Sequence, residues 1–277
     1  MYKTILVHVD QSPRSAVRTD IAARLAALHD AHLVGGAVTG LASYLFPQTG
    51  LDPGTPAIAF PIAELHAEAD RVLDLFDQRA SRAGVNSFER RRIDDEAGAG
   101  ISTHARYCDL VVISQSAYDE FTPRLRTDFP EYVVLNCARP VLVVPAKGAI
   151  GEVGTRITVA WNGSSNAVRA ITSAIPMLQR AQAVNLVVLN SEGGDQHGDT
   201  PGADIALYLA RHGIRVDVTA AQASGDAGES LLSLAADQGA DLIVMGAYGH
   251  SRFSEILLGG ASRTALLTSP IPLWMAH

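Results

Sequence analysis

The chain has 277 residues, of which 47% are hydrophobic and 18% are charged, and its formal net charge at pH 7 is −7. This composition supports a packed core and excludes a disordered protein. An acidic chain is also a poor candidate for binding nucleic acid through the phosphate backbone, which requires clustered lysine and arginine. The densest basic stretch, Arg90 to Arg92, is followed at once by the acidic residues 94–96, and we interpret it as a solvated, self-neutralised strand end.

No apolar run approaches the roughly 20 residues that a membrane span needs, and the first residues run straight into a strand-like pattern. We therefore expect neither a signal peptide nor a membrane partner. The two cysteines, Cys108 and Cys137, do not form the close pairs that a zinc site or a redox motif needs. These features predict a cytoplasmic protein with two ordinary buried thiols, no resident metal that the sequence can identify and no nucleic-acid partner.

The predicted elements form the same series twice. In the first half, a strand at residues 5–9 ends at Asp10 and precedes a helix over 16–27. In the second half, a strand at 157–161 ends at Asn162 and precedes a helix over 167–178. Later apolar strands also correspond, namely 108–113 with 240–245 and Val141–Val144 with Ile271–Met275.

Continuous apolar strands that alternate with amphipathic helices indicate parallel sheets covered on both faces. The sequence therefore predicts an α/β protein made of two tandem, doubly wound, Rossmann-like domains. The join falls in a glycine-rich linker near residues 147–154, which gives domains at 1–148 and 153–277. A segment rich in proline and glycine, 40–61, is either a lid, an interaction segment or a plain solvent loop.

The most informative segment follows the predicted strand at 241–245. Gly246, Gly249, Gly259 and Gly260 lie between that strand and a final helix. Glycines let backbone N–H groups approach a ligand, and a helix start offers free donors to phosphate. His250 and Arg252 lie inside the same loop and could contact phosphate oxygens. The alternative is a turn that only connects a strand to a helix.

This spacing, Gly-x2-Gly-x9-Gly, resembles the nucleotide-binding pattern of the universal stress protein family, and the resemblance covers essentially the whole chain as two domains in tandem. It implies a stress-response regulatory or protective protein whose second domain binds ATP or a related adenine nucleotide and whose enzymatic activity is at most that of a weak ATPase. It also implies that the domains pack about a pseudo-twofold axis, partly through their last strands. The residues assigned to the nucleotide are Asn162, Leu189, Gly246, Gly249, His250, Arg252, Gly259, Gly260, Ala261 and Ser262.

The pattern has two departures. Gly260 stands where the family has Ser or Thr, and Asn162 stands where nucleotide-binding relatives have an acidic residue. The first half lacks the glycines, because it has Ser114 and Ala117 at the first pair and Phe129-Pro130 where Gly259-Gly260 would align. We therefore expect its nucleotide site to be degenerate. Two other functions stay open, a ligand-free dimerisation or interaction module and a slow nucleotide hydrolase, and we expect self-association into a homodimer.

Overall fold

The structure is a computed structural model that describes residues 1–40, 62–116, 128–190, 202–223, 225–248 and 260–277. The first repeat contains five strands, β1 (Thr4–Val9), β2 (His32–Val38), β3 (Phe88–Ile93), β4 (Leu110–Ser114) and β5 (Val141–Val144). Its described helices are α1 (Arg14–His29), α2 (Ile62–Arg82), α3 (Ala97–His104) and α4 (Phe129–Asn136).

The second repeat follows the same order. Its strands are β6 (Arg156–Trp161), β7 (Ala183–Asn190), β8 (Asp217–Gln222), β9 (Leu242–Gly246) and β10 (Leu273–Ala276). Its described helices are α5 (Ser165–Leu178), α6 (Ala203–Arg211), α7 (Ala227–Asp237) and α8 (Ala261–Thr268). The predicted α/β fold with two tandem copies of one plan is confirmed.

By its contacts the chain divides into two compact units. The first consists of Tyr2–Ile113 and Ala117–Val133, and the second consists of Met1, Ser114–Ser116 and Val134–His277. In the first unit the strands lie in the order β3-β2-β1-β4 and all their pairings are parallel. In the second unit the order is β5-β10-β9-β6-β7-β8. Its pairings are parallel except the one between β5 and β10.

The last strands of the two repeats pair directly, as the resemblance implied. Trp274 lies opposite Leu142 and Met275 lies opposite Val141 in an antiparallel register. Both strands are fully or almost fully buried, and the indole of Trp274 donates to the Ser173 hydroxyl at 3.0 Å. Strand β5 therefore belongs to the first repeat by sequence and to the second unit by contacts.

In each repeat, an aspartate at the equivalent position connects two neighbouring strands through hydrogen bonds. Asp109, directly before β4, accepts hydrogen bonds from the backbone N–H groups of Lys3 and Thr4 at 2.6 and 3.0 Å. Asp241, directly before β9, accepts from Gly154, Thr155 and Arg156 at 2.8 to 3.2 Å. The carboxylates fix the starts of β1 and β6 through charge-assisted hydrogen bonds, and this shared device agrees with a duplicated chain.

The arginines of the predicted strand end lie within β3. Their partners differ from the sequence interpretation, because Arg90 pairs with Asp74 and Asp77 and Arg92 pairs with Asp70, all on α2. Arg91 pairs with Glu89 on its own strand. Helix α2 packs against β3 and brings its carboxylates to Arg90 and Arg92. The neutralising charges therefore come from α2 and from Glu89 rather than from residues 94–96.

Neither cysteine forms a disulfide and both are buried, as expected. Among the helices that the structure describes, none is both long enough and apolar enough to cross a membrane.

Candidate functional site

Three of the predicted site residues lie at the carboxyl ends of adjacent strands in the second unit. Strand β6 lies between β9 and β7, and all three run parallel. Asn162 follows β6 directly, Leu189 is the penultimate residue of β7, and Gly246 is the last residue of β9. The carboxyl edge of a doubly wound sheet is where such folds bind ligands. The fold therefore brings these predicted residues to one edge.

The side chain of Asn162 shapes the turn between β6 and α5. Its Oδ1 accepts a hydrogen bond from the backbone N–H of Ser164 at 3.1 Å, and Gly163 between them has φ +73°. Ser164 then caps α5, since its hydroxyl accepts from the Ala167 N–H at 3.1 Å. Within the described part of the chain, the exposed Asn162 amide has no partner for its Nδ2.

Gly246 is explained by packing within the protein. A Cβ at this position would lie 2.5 Å from the amide nitrogen of Ala167 and 2.7 Å from the carbonyl carbon of Asn166. Both atoms belong to the backbone at the start of α5, which cannot move aside without breaking the helix contact with β9. The sequence interpretation assigned this glycine to phosphate binding. In the structure, the close approach of α5 is by itself sufficient to require a glycine here.

The start of α8 lies against the turn after β9. The Ser262 hydroxyl accepts a hydrogen bond from the N–H of Tyr248 at 3.0 Å and lies 3.5 Å from the Gly246 carbonyl oxygen, to which it donates. Ser262 is only 5% exposed. Tyr248 has φ +51°, an uncommon conformation for a residue with a side chain. The Ser262 hydroxyl therefore holds this turn in place.

Gly260 is the N-cap of α8. Its carbonyl oxygen accepts from the N–H groups of Arg263 and Thr264 at 2.8 and 3.1 Å, and no side chain caps the helix from this position. Ala261 and Ser262 are the first two residues of the helix, where backbone N–H groups have no intrahelical acceptor. These donors and the positive end of the helix dipole are the features of this turn that suit an anion.

The remaining predicted residues, Gly249, His250, Arg252 and Gly259, lie in 249–259, outside the residues that the structure describes.

One contributor to this edge escaped the sequence analysis. The buried side chain of Asn166 donates from Nδ2 to the Ala247 carbonyl oxygen at 2.6 Å, and its Oδ1 accepts from Arg169 at 2.9 Å. The imidazole Nδ1 of His277 lies 3.1 Å from the same Nδ2 and 3.0 Å from the Ala247 oxygen. Asn166 therefore joins α5 to the chain leaving β9. Its position in the first turn of a capped helix was the signal available in the sequence.

The corresponding edge of the first unit holds a buried ion pair. Asp10 accepts from Arg18 at 2.9 Å through Oδ1, and Arg18 is 1% exposed. Arg18 also donates from Nε to the His8 carbonyl oxygen at 2.5 Å. The ring of His8 packs 5.0 Å from the ring of Phe129, centroid to centroid, and both side chains are buried. The space beside β1 is therefore occupied by side chains of the protein itself.

Burial governs the charges of this cluster. Burial lowers the pKa of His8 to about 4, because the attraction of Asp10 only partly opposes it and Arg18 disfavours a second positive charge. For Asp10, burial by itself would raise the pKa, but Arg18, His8 and the hydrogen bonds from Ser12 together hold the pKa well below its usual range. At neutral pH the cluster thus consists of an ionised Asp10–Arg18 pair beside a neutral imidazole.

The element bounds show which residues of the repeats correspond. The helices Phe129–Asn136 and Ala261–Thr268 have equal lengths, as do the strands Leu110–Ser114 and Leu242–Gly246 before them and Val141–Val144 and Leu273–Ala276 after them, all at one constant offset. Phe129-Pro130 therefore corresponds to Ala261-Ser262. The alignment with Gly259-Gly260 that we expected from the sequence is wrong by two residues.

The charged and bulky residues of the first cluster have small or neutral counterparts in the second repeat. Counting from the equivalent strands β1 and β6, His8 corresponds to Ala160, Asp10 to Asn162 and Arg18 to Ala170. Phe129 corresponds to Ala261. The edge that carries the glycine pattern is therefore the one without the side chains that fill the first cluster.

Two other observations concern possible sites elsewhere in the described residues. No group of three or more His, Cys, Asp or Glu residues among the described residues could hold a metal ion. An open cleft of about 480 Å³ lies along one face of α2, lined by Ala63, Glu64, Ala67, Glu68 and Arg71. It lies near the carboxyl edge of the strands of the first unit, since Glu68 contacts Gln11 after β1 and His66 contacts Asp94 after β3. Its two glutamates make it unsuited to a phosphate ligand.

Comparison with known proteins supports the duplication. A family model described as "Universal stress protein family" matches residues 1–145 and again residues 155–277. No curated protein matches the chain. A solved universal stress protein from Archaeoglobus fulgidus DSM 4304 is similar at 19% identity and a TM-score of 0.76, covering 99% of this chain and 95% of that one.

Two further solved structures are similar. A functionally unknown protein from Pseudomonas aeruginosa PAO1 shares 16% identity with a TM-score of 0.63, covering 99% of this chain and 92% of that one. A universal stress protein solved in complex with cAMP shares 22% identity with a TM-score of 0.39, covering 52% of this chain and 97% of that one. For the two structures that cover 99% of this chain, the likeness at these identities concerns the fold alone.

Proposed function

Because the chain belongs to the universal stress protein family, with two copies of the family's domain in tandem, we propose that it is a stress-response regulatory protein that binds one adenine nucleotide, in its second repeat. The nucleotide, ATP or a close relative, lies at the carboxyl edge formed by β9, β6 and β7. Its phosphates contact the backbone donors at the start of α8 and the segment 249–259. Binding alters the conformation or the partners of the protein, and turnover is at most slow.

The observation that carries this proposal is the asymmetry between the two edges. In the first repeat, Arg18 and Phe129 are buried at the position where a ligand would lie, and Pro130 removes a backbone donor from the first turn of α4. In the second repeat the counterparts are Ala170, Ala261 and Ser262, which are smaller, and Ser262 keeps the backbone N–H that Pro130 lacks. Among the described residues, the second edge thus combines small side chains with the backbone donors at the start of α8, and this favours it as the ligand-binding edge.

Charge supports the same assignment. The second edge has the neutral Asn162 where the first repeat has Asp10. The arginine that neutralises Asp10 is replaced by Ala170, which is fully buried. A neutral edge with free N–H groups suits an anionic ligand better than an internally neutralised cluster does.

A ligand-free interaction module is the second candidate, and two contacts favour it. Gly246 is needed for the packing of α5, and the Ser262 hydroxyl is used by Tyr248 and Gly246. Two of the residues assigned to a nucleotide thus have a structural reason to be present. For a slow hydrolase, Asn162, Asn166 and Ser262 cannot act as a general base because they stay neutral. The His277 imidazole, which could do so, lies against Asn166 and the Ala247 carbonyl oxygen.

Calorimetric titration with ATP tests the proposal, with mass spectrometry of any ligand released from the denatured protein. We expect one site per chain. Gly249→Val should abolish binding, since a β-branched side chain resists positive φ and fills the space of a phosphate. The matched control is Ala117→Val, at the corresponding position of the first repeat, which should leave binding unchanged.

Each alternative has its own outcome. Two sites per chain would contradict the proposal that only the second repeat binds the nucleotide. A site that survives Gly249→Val and is lost in Ala117→Val would show that the ligand binds in the first repeat instead of the second. No bound or released nucleotide would favour the interaction module. Sustained phosphate release would favour the hydrolase. The domain bounds 1–148 and 153–277 and a cytoplasmic location belong to the same proposal.

A further inference from the structure

We propose that Asn166 is a positioning residue for the second repeat: it holds the turn after β9, Ala247 and Tyr248, in one conformation, so that the chain enters segment 249–259 in a fixed direction. Asn166 acts through the backbone of this turn and needs no contact with a ligand. The inference rests on the proposed nucleotide site and deepens it, because it gives control over ligand affinity to a residue outside the glycine pattern.

Every backbone N–H and C=O group of this turn has a partner within the protein. The Ala247 N–H donates to the Ala276 carbonyl oxygen at 2.8 Å. The Tyr248 N–H donates to the Ser262 hydroxyl at 3.0 Å. Both carbonyl oxygens accept from Asn166 Nδ2, at 2.6 Å for Ala247 and 3.4 Å for Tyr248. The turn is therefore held from α8 through Ser262 and from α5 through Asn166.

The orientation of the Asn166 amide follows from Arg169. A guanidinium has only donors, and that of Arg169 donates to Asn166 Oδ1 at 2.9 Å. The NH₂ group of Asn166 must therefore face the turn. Tyr248 has φ +51°, which a residue with a side chain keeps only when surrounding contacts impose it. Since Asn166 is only 6% exposed, loss of its donor would leave the turn without that support.

The first repeat has different side chains at both positions that hold the turn. Counting from equivalent elements, Asn166 corresponds to Arg14 and Ser262 corresponds to Pro130. A proline has no hydroxyl, so the contact that Ser262 makes with Tyr248 has no equivalent there. The two side chains thus occur together in the repeat that carries the glycine pattern. This coincidence connects the turn with ligand binding and not with packing alone.

Asn166→Leu tests the proposal, because it removes the donor from a buried position without adding a charge. In calorimetric titration this variant should bind ATP about tenfold more weakly or worse, since the turn loses its hold on α5. Leu178→Ala is the matched control. It deletes a buried side chain at the other end of α5, so it lowers stability without touching the turn. Its affinity for ATP should stay within about threefold of that of the unchanged protein.

Hydrogen exchange without any ligand separates positioning from a general loss of stability. The amide protons of Ala247 and Tyr248 should exchange about tenfold faster or more in Asn166→Leu than in the unchanged protein. The reference is the amide protons in the middle of β6, a buried strand that reports global unfolding. In Leu178→Ala, exchange at the turn should rise no more than exchange in β6 does.

Asn166→Asp is a second variant, isosteric with the original, whose oxygen would face the two carbonyl oxygens. It should lose at least as much affinity as Asn166→Leu, whereas Ser165→Asp, with the same charge at the neighbouring exposed residue, should lose less than about threefold. ATP binding within about threefold of the unchanged protein in both Asn166 variants would overturn the positioning role and leave the nucleotide site standing. An equal loss in Leu178→Ala would do the same. If the unchanged protein binds no ATP, the proposed function fails and this inference fails with it.

Discussion

The backbone of Ala167 lies where a side chain at Gly246 would begin. A Cβ on Gly246 would lie 2.5 Å from the Ala167 amide nitrogen, a separation that real side chains do not show. The contact joins the end of β9 to the first turn of α5. The contact also distinguishes packing from phosphate binding as the reason for Gly246, because packing against α5 requires a glycine there whether or not a ligand is bound.

Gly246→Ala should therefore destabilise the protein even in the absence of any ligand. We expect a loss of about 1–3 kcal/mol in the free energy of unfolding, because the added methyl group meets backbone that cannot rotate away. Thermal and urea unfolding measure this. Gly151→Ala is the control, since a Cβ there meets nothing within 4 Å. Equal stability of the two variants would show that α5 can shift away from β9.

Acid should destabilise the protein through His8. Its pKa lies near 4 in the folded state and near 6.5 in the unfolded chain, so the unfolded state binds more protons between these values. The contribution of His8 to the free energy of unfolding is therefore complete above pH 6.5. It decreases as the pH falls and is lost by pH 4, a total loss of about 3 kcal/mol. Asp10, whose pKa is also lowered, adds a further loss below pH 4.

The matched variant for this effect is His8→Leu, which keeps an apolar contact with Phe129. Unfolding midpoints measured from pH 7 to pH 4.5 should fall less steeply for the variant than for the unchanged protein. Because other groups titrate in both proteins, the difference between the two profiles is the quantity to compare. Parallel profiles would mean that the His8 ring is protonated in the folded protein or accessible to water.

The pair of Asp10 and Arg18 should show strong coupling. Asp10→Asn leaves a guanidinium that is 1% exposed without its counter-ion, and we expect this to cost about 3–5 kcal/mol. Adding Arg18→Met removes the buried charge and should recover a large part of that loss. A double-mutant cycle by urea unfolding measures the coupling. Strictly additive effects would contradict the ion pair.

The oligomeric state is a separate prediction. We expect a homodimer of tandem chains, because the family-like pairing of last strands within one chain leaves other surfaces available for association. Light scattering should then give twice the chain mass of 29.3 kDa. A mass of 29.3 kDa that persists at high protein concentration would refute the prediction.

The sequence predicted the fold because the signals for it are local. Continuous apolar strands, amphipathic helices and a serine after each first strand repeat within short windows, and the structure places Asn162, Leu189 and Gly246 along one edge as the strand order requires. The match between Val141–Val144 and Ile271–Met275 was also visible as two apolar runs flanked by proline.

What the sequence missed depends on partners far away along the chain. Nothing in the sequence near Arg18 indicates that its side chain turns inward to Asp10. The partners of Arg90 and Arg92 lie on α2 rather than in the adjacent acidic run. The Ser262 hydroxyl suggested a phosphate contact, yet it bonds Tyr248 across the turn. Side-chain direction and packing decide such contacts, and no spacing pattern encodes them.

The pairing of β5 with β10 has a consequence for how the chain is made. During synthesis β5 leaves the ribosome long before β10, the strand with which it pairs. The backbone N–H and C=O groups on that side of β5 therefore stay unpaired until β10 has been synthesised. A second repeat produced alone would face the converse problem, with the exposed rim of β10 free to recruit another copy. Because the first repeat is synthesised first, the unpaired edge of β5 is the one that stays exposed until the second repeat is complete.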